Sequence, residues 1–162
     1  MKEQINGKKI EEIVIIRNFK HYLLNKILNV FGDNLVSVVL FGSQARNSYS
    51  EYSDVDVIVV VENYDENEKA LSALTMGFVV DMEKTLDILI FSKEDIIKNF
   101  EHISPLFSTL LLGKKILFDK EMFFYNEFKK FVLEMVNEKI KYCEGGKIWE
   151  MNKIAKDLEI LL

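Results

Sequence analysis

Short, unbroken apolar runs alternate with stretches whose apolar residues recur every three or four positions, and this alternation continues to about residue 118. Ile13, Ile16, Leu23, Ile27 and Phe31 mark one face of a helix over about 9–31, interrupted by Lys20 and stopped at Gly32. The valine-rich run from Leu35 to Phe41 has the pattern of a strand buried on both faces. Gly42-Ser43 ends it, with Ser43 placed to cap a short helix over 44–47. A polar, turn-like stretch leads to a second strand over 54–61. Leu71, Leu74, Phe78 and Met82 predict a helix over 66–82, weakened at Gly77. A third strand over 85–91 is broken by a single charge, Asp87. Ser92, with Asp95 three residues on, reads as a helix start. Pro105 opens a helix that Gly113 ends, and residues 115–118 predict a short fourth strand at a sheet edge.

Beyond Asp119 the pattern is helical. Phe124, Phe128, Phe131 and Met135 share one face, Gly145-Gly146 stops that helix, and Ile148, Met151, Ala155 and Leu158 carry a last one. The aromatic stripe within 123–131 reads as core packing rather than as a base-stacking platform, and Trp149 as a packing residue. The layout is an α/β or α+β core over 1–118 with a helical C-terminal extension over 119–162. A short lone helix is marginal in water. The extension therefore either folds back on the core or meets another chain in a homodimer.

Composition narrows the setting. The chain has 162 residues, almost half of them hydrophobic, which suits one domain with a small appendage and a substantial core. A net charge of −5 disfavours a nucleic-acid coat. One cysteine, Cys143, excludes an internal disulfide and reads as a core or interface filler in a reduced compartment. Met1 to Lys9 contains no apolar signal core, and the apolar runs fall far short of the roughly 20 residues of a spanning helix. A cytoplasmic protein without a membrane segment is the expectation. His21 and His102 lack a partner pattern and read as surface or packing residues.

Candidate chemistry gathers where the first two strands meet. Residues i and i+2 of a strand share a face, so Asp54 and Asp56 project together with Cα atoms roughly 6.5–7 Å apart. Two such carboxylates suit magnesium, which takes one or two carboxylates plus substrate phosphates. Gly42 lets the backbone approach a phosphate, and Ser43 adds a hydroxyl and the free amides of a helix start. Asp87 would be costly as a lone charge in an apolar strand; if that strand neighbours the Asp54 strand, it joins the acidic cluster and can accept a hydroxyl proton. Arg46 either contacts a phosphate or pairs with an acidic neighbour. Each of these residues also has a plain reading, as strand-entrance polarity or a helix cap.

Phe41-Gly42-Ser43, ten residues, then Asp54-Val55-Asp56-Val57 resembles the signature of the DNA polymerase β-like nucleotidyltransferase superfamily. Gly-Ser-Gln-Ala-Arg ending in Arg46, Ser53 before the aspartates and the later Asp87 are most similar to its minimal nucleotidyltransferase branch. The resemblance covers about residues 35–91. Asn47 stands where that branch often carries glycine, a departure that bears on the loop more than on the chemistry. It implies an α+β fold with a small mixed sheet and helices largely on one face. It also implies transfer of a nucleoside monophosphate from a triphosphate such as ATP, with two Mg2+ ions in the active complex and pyrophosphate release. Asp54, Asp56 and Asp87 would bind metal and act in catalysis, and Gly42, Ser43 and Arg46 would hold phosphates. Minimal members often act as antitoxins that adenylylate a helical toxin partner, and other relatives modify small molecules such as aminoglycosides. The competing class is a non-catalytic nucleotide-binding or interaction module that keeps the fold.

Overall fold

The computed structural model describes residues 19–46, 48, 53–64 and 68–162. Helix α1 (19–31) leads into strand β1 (Leu35–Phe41), the four-residue helix α2 (Gly42–Ala45) and strand β2 (Val55–Val61). Helix α3 (Glu68–Met82) crosses over to β3 (Leu86–Ser92), followed by α4 (Lys93–Glu101), α5 (Pro105–Ser108) and β4 (Lys115–Asp119). The chain closes with α6 (Phe123–Met135), β5 (Lys141–Glu144), β6 (Lys147–Glu150) and α7 (Met151–Glu159).

The four-stranded sheet has the order β3-β2-β1-β4. It is mixed: β2 and β3 are parallel, as a helical crossover requires, and the other pairs are antiparallel. Every residue of β1 is buried, and in β2 only Asp56 is not fully so. Continuous apolar runs became the two central strands because both faces of the sheet are covered. On one face Leu35, Val38, Leu40, Val55, Val57 and Val59 pack with Leu23 and Ile27 of α1 and Leu74 and Phe78 of α3. On the other, Val36, Val39, Phe41, Ile58 and Val60 pack with residues of α4, α5, α6 and α7. Four described helices thus share one face. The opposite face, covered by α1 and α3, is the part that an arrangement largely on one side leaves out.

Phe100 of α4 sits at the centre of the larger cluster, with ring centroids of Phe107, Phe131 and Phe124 at 4.8, 5.0 and 5.7 Å. The aromatic stripe of α6 is core, with Phe124, Phe128 and Phe131 all buried. Asp119 fastens this helix to the sheet. Its carboxylate accepts hydrogen bonds from the Ser37 hydroxyl of β1 at 2.6 Å and from the Phe124 and Tyr125 amides, both at 2.9 Å.

Local signals explain most boundaries. Ser92 caps α4 by accepting from the Asp95 amide while the Asp95 carboxylate accepts from the Ser92 amide, a reciprocal box. Hydrogen bonds from Ser92 hold the Asp95 carboxyl below its ordinary pKa. The folded state therefore favours the charged form. This contribution is present above the unfolded carboxylate range and is lost as pH falls through the lowered folded value. Ser92→Ala is expected to cost about 1 kcal/mol. The loss would show as a lower urea midpoint at pH 7, with the gap to the parent protein narrowing on acidification below pH 4.

Three expectations change. The four-residue helix begins at Gly42, so Ser43 lies inside it and does not cap it. The helix after Asp119 ends at Met135, and Gly145-Gly146 is the two-residue turn of a β5–β6 hairpin. Both glycines have positive φ (+57° and +77°), the requirement of a tight hairpin turn whose twist matches its strands. Cys143 lies on that hairpin and is exposed rather than filling a core. Residues 9–18 of the first expected helix lie outside the described residues.

Candidate active site

Backbone register brings the acidic residues together. Asp56 is paired with Phe41 of β1 on one side and with Asp87 of β3 on the other. In-register neighbours across a sheet share a face and stand about 4.8 Å apart along the hydrogen-bonding direction. Asp54, one residue before β2, accepts a hydrogen bond from the Thr85 hydroxyl. Asp54 and Asp87 are exposed while Asp56 is partly buried. The Asp56 carboxyl is raised above its ordinary pKa, first by burial and then by the charges of Asp87 and Asp54, with Arg46 acting in the opposite direction.

The turn after β1 is pressed against this cluster. Gly42 has φ +67°, a left-handed conformation that L side chains rarely adopt. A Cβ there would run into the Asp56 carboxylate, with Asp56 Cγ 3.1 Å away. The glycine is thus needed both for its backbone angle and for room. Gln44 Nε2 donates to the Ser53 carbonyl at 3.3 Å, tying the turn to the residues that precede β2.

A cleft of about 520 Å³ opens beside the turn. Gly42, Ser43, Arg46, Ser53, Asp54 and Asp56 form one side, and Leu106, Thr109, Tyr142 and Glu144 the other. Of the six residues singled out in the sequence, five line it. Asp87 stands on the edge strand beyond Asp56. Arg46 Nη1 pairs with Glu144 Oε2 at 3.1 Å, while Arg46 Nε is buried with no hydrogen-bond partner among the described residues. Tyr142 and Glu144 lie where the sequence pattern points to helix, so nothing in it brings them to this cleft.

The donor set fits magnesium with phosphates. Among the described residues no three carboxylate, imidazole or thiol groups converge to cage an ion. Magnesium does not need such a cage, since it keeps water and substrate oxygens around one or two carboxylates. A cation held by these carboxylates would relieve the crowding that raises Asp56, and Arg46 Nε, without a partner among the described residues, is a donor of the kind that phosphate oxygens accept from.

Comparison with known proteins identifies the family. The nucleotidyltransferase domain family matches residues 24–157. MJ1305 of Methanocaldococcus jannaschii, whose name places it among protein adenylyltransferases, is 28% identical over 143 residues, 85% of this chain and 95% of its own. MJ0141 of the same organism, similarly named, is 45% identical over 53 residues, 33% of this chain and 50% of its own. Among solved structures, a toxin–antitoxin complex with AMP-PNP aligns over 70% of this chain and 88% of its own, with 18% identity and a TM-score of 0.46.

Proposed function

The chain belongs to the nucleotidyltransferase domain family and is a nucleotidyltransferase, and from that premise we propose that it transfers AMP from ATP to a hydroxyl of a partner protein. The observation that carries this reading is the Asp54–Asp56 pair set against the Gly42 turn, with Asp87 in register beside it. The family supplies the nucleotidyl transfer. The protein acceptor is supported by the name of MJ1305, which is similar along most of both chains.

In this reading Gly42 and Ser43 offer backbone amides and a hydroxyl to the triphosphate, and Arg46 adds a guanidinium to its phosphate oxygens. Asp54, Asp56 and Asp87 would hold magnesium, which when bound neutralises charge on the phosphates and favours in-line displacement. The acceptor oxygen attacks the α-phosphorus as the bond from that phosphorus to the α–β bridging oxygen breaks. Asp87, the exposed member, takes the acceptor proton directly or through one water. Pyrophosphate leaves. The acceptor we favour is a helical toxin, the partner that the motif resemblance implies. Among the described residues no helix is long and apolar enough to cross a membrane. A single exposed cysteine suits a reducing compartment, and we place the reaction in the cytoplasm.

Incubation with α-labelled ATP, magnesium and a candidate helical partner tests this. Label on the partner with equimolar pyrophosphate, both abolished in Asp54→Ala/Asp56→Ala, is the expected result. Transfer to an aminoglycoside instead would move the acceptor to small molecules. ATP binding without transfer or pyrophosphate, alike in parent and double variant, would leave a binding module and sink the enzyme reading.

A further inference from the structure

The motif residues account for the phosphate end of a nucleotide and leave its base without a partner. Stacking on an aromatic side chain holds a base by its face without reading its edge. The hairpin places one such ring in the right cleft. Tyr142 lines the space that Gly42, Ser43 and Asp54 line. Its cross-strand partner is Trp149, whose ring lies 5.7 Å away at 35° and backs it. Leu106 and Thr109 extend the same wall.

Glu144 connects that wall to the phosphate turn. It lies two residues beyond Tyr142 on β5, hence on the same face of the strand, and it pairs with Arg46 at 3.1 Å. A two-stranded hairpin alone is marginally stable, so this tether and the seat on α7 decide where Tyr142 stands. The Met151 amide donates to the Ile140 carbonyl at 2.9 Å, closing the base of the hairpin.

We propose that Tyr142 is the stacking platform for the nucleotide base, and that the Glu144–Arg46 ion pair positions it relative to the phosphate turn. The assignment rests on the nucleotidyltransferase reading of the cleft. Because stacking uses the face of the base, it strengthens binding of ATP and GTP alike and does nothing for a bare polyphosphate. Glu144 is a positioning residue whose carboxylate also offsets the Arg46 charge.

The test compares magnesium–ATP with magnesium–tripolyphosphate, titrated calorimetrically into the full chain. Tyr142→Ala is expected to weaken ATP about tenfold while leaving tripolyphosphate unchanged. Tyr142→Phe should keep ATP affinity. Tyr142→Leu, which retains apolar bulk for packing, should lose it as the alanine does. Glu144→Gln should lower the preference for ATP over tripolyphosphate, tightening the polyphosphate because Arg46 is no longer neutralised. A purely structural hairpin would shift both ligands together in every variant, and that result overturns the proposal. So does unchanged ATP binding in Tyr142→Ala and Tyr142→Leu. If the parent protein binds neither ligand, the nucleotidyltransferase reading falls too. If it binds both and the variants are silent, only the hairpin assignment falls.

Discussion

Replacing Asp56 with asparagine abolishes transfer, by on the order of 10³-fold in kcat, and at the same time raises the melting temperature of the metal-free protein. The two effects share one cause. Asp56 is the sole break in the buried run of β2, and its carboxylate is crowded by burial, by Asp87 and by Asp54. Asparagine keeps the size and removes the charge, so the fold loses a repulsion while the phosphates lose a metal ligand. An increase of about 2 °C or more in the presence of EDTA is expected. Added magnesium should then stabilise the variant less than the parent, because the ion binds the native state less tightly. An Asp56 that served only as a strand-entrance polar group would leave activity retained and magnesium stabilising variant and parent alike. Scanning calorimetry with and without EDTA, beside the label-transfer assay, separates the two.

Gly42→Ala is the second large effect, and it strikes fold and chemistry together. The left-handed backbone costs an alanine about 1 kcal/mol, and the new methyl group collides with the Asp56 carboxylate. The turn or the aspartate must move, and either movement separates phosphate amides from metal ligand. A loss of about 2–4 kcal/mol in stability and at least a 10²-fold loss in kcat are expected. Gly32→Ala is the control, since Gly32 also has positive φ (+50°) but no atom of the described residues lies within 4 Å of its added Cβ. It should show the strain alone, about 1 kcal/mol by urea denaturation, with full activity. Equal losses in the two variants would remove the collision as an explanation.

The half of the molecule that was legible in the sequence is the half built on long apolar runs. Leu35–Phe41 and Val55–Val61 have no polar residue at alternate positions to suggest an exposed face, and both are central strands. Ser92 and Asp95 announced α4 because a capping box is written in two residues at fixed spacing. Asp54 and Asp56 could be grouped because residues i and i+2 of a strand share a face, whereas Asp87 joined them only through the family resemblance, since the sequence alone does not give the strand order. The hairpin was not legible by the same means. Its strands are four residues each and carry a charge at both ends, so length and hydrophobicity were silent. Gly145-Gly146 was the available signal. A glycine pair between two short segments containing Tyr142 and Trp149 fits a tight hairpin turn as well as a helix stop. Helical spacing on either side tipped the reading the wrong way. Glu144 could not be linked to Arg46, 98 residues earlier, without the fold.

Because the sheet is covered on both faces by helices from opposite ends of the chain, synthesis itself exposes an intermediate. Once residue 92 has left the ribosome, β1, β2 and β3 can pair and α1 and α3 can close one side. Val36, Val39, Phe41, Ile58 and Val60 are then covered first by Ile96, Phe100 and Phe107 and fully only once Phe124, Phe128, Phe131 and Ala155 are made. With the chain folded as far as residue 92 and nothing beyond it, that apolar surface would lie beside an assembled acidic cluster, and α4 and α5 would cover only part of it. Such a surface is what chaperones bind, and the carboxylates would be in place before the hairpin arrived to complete their cleft.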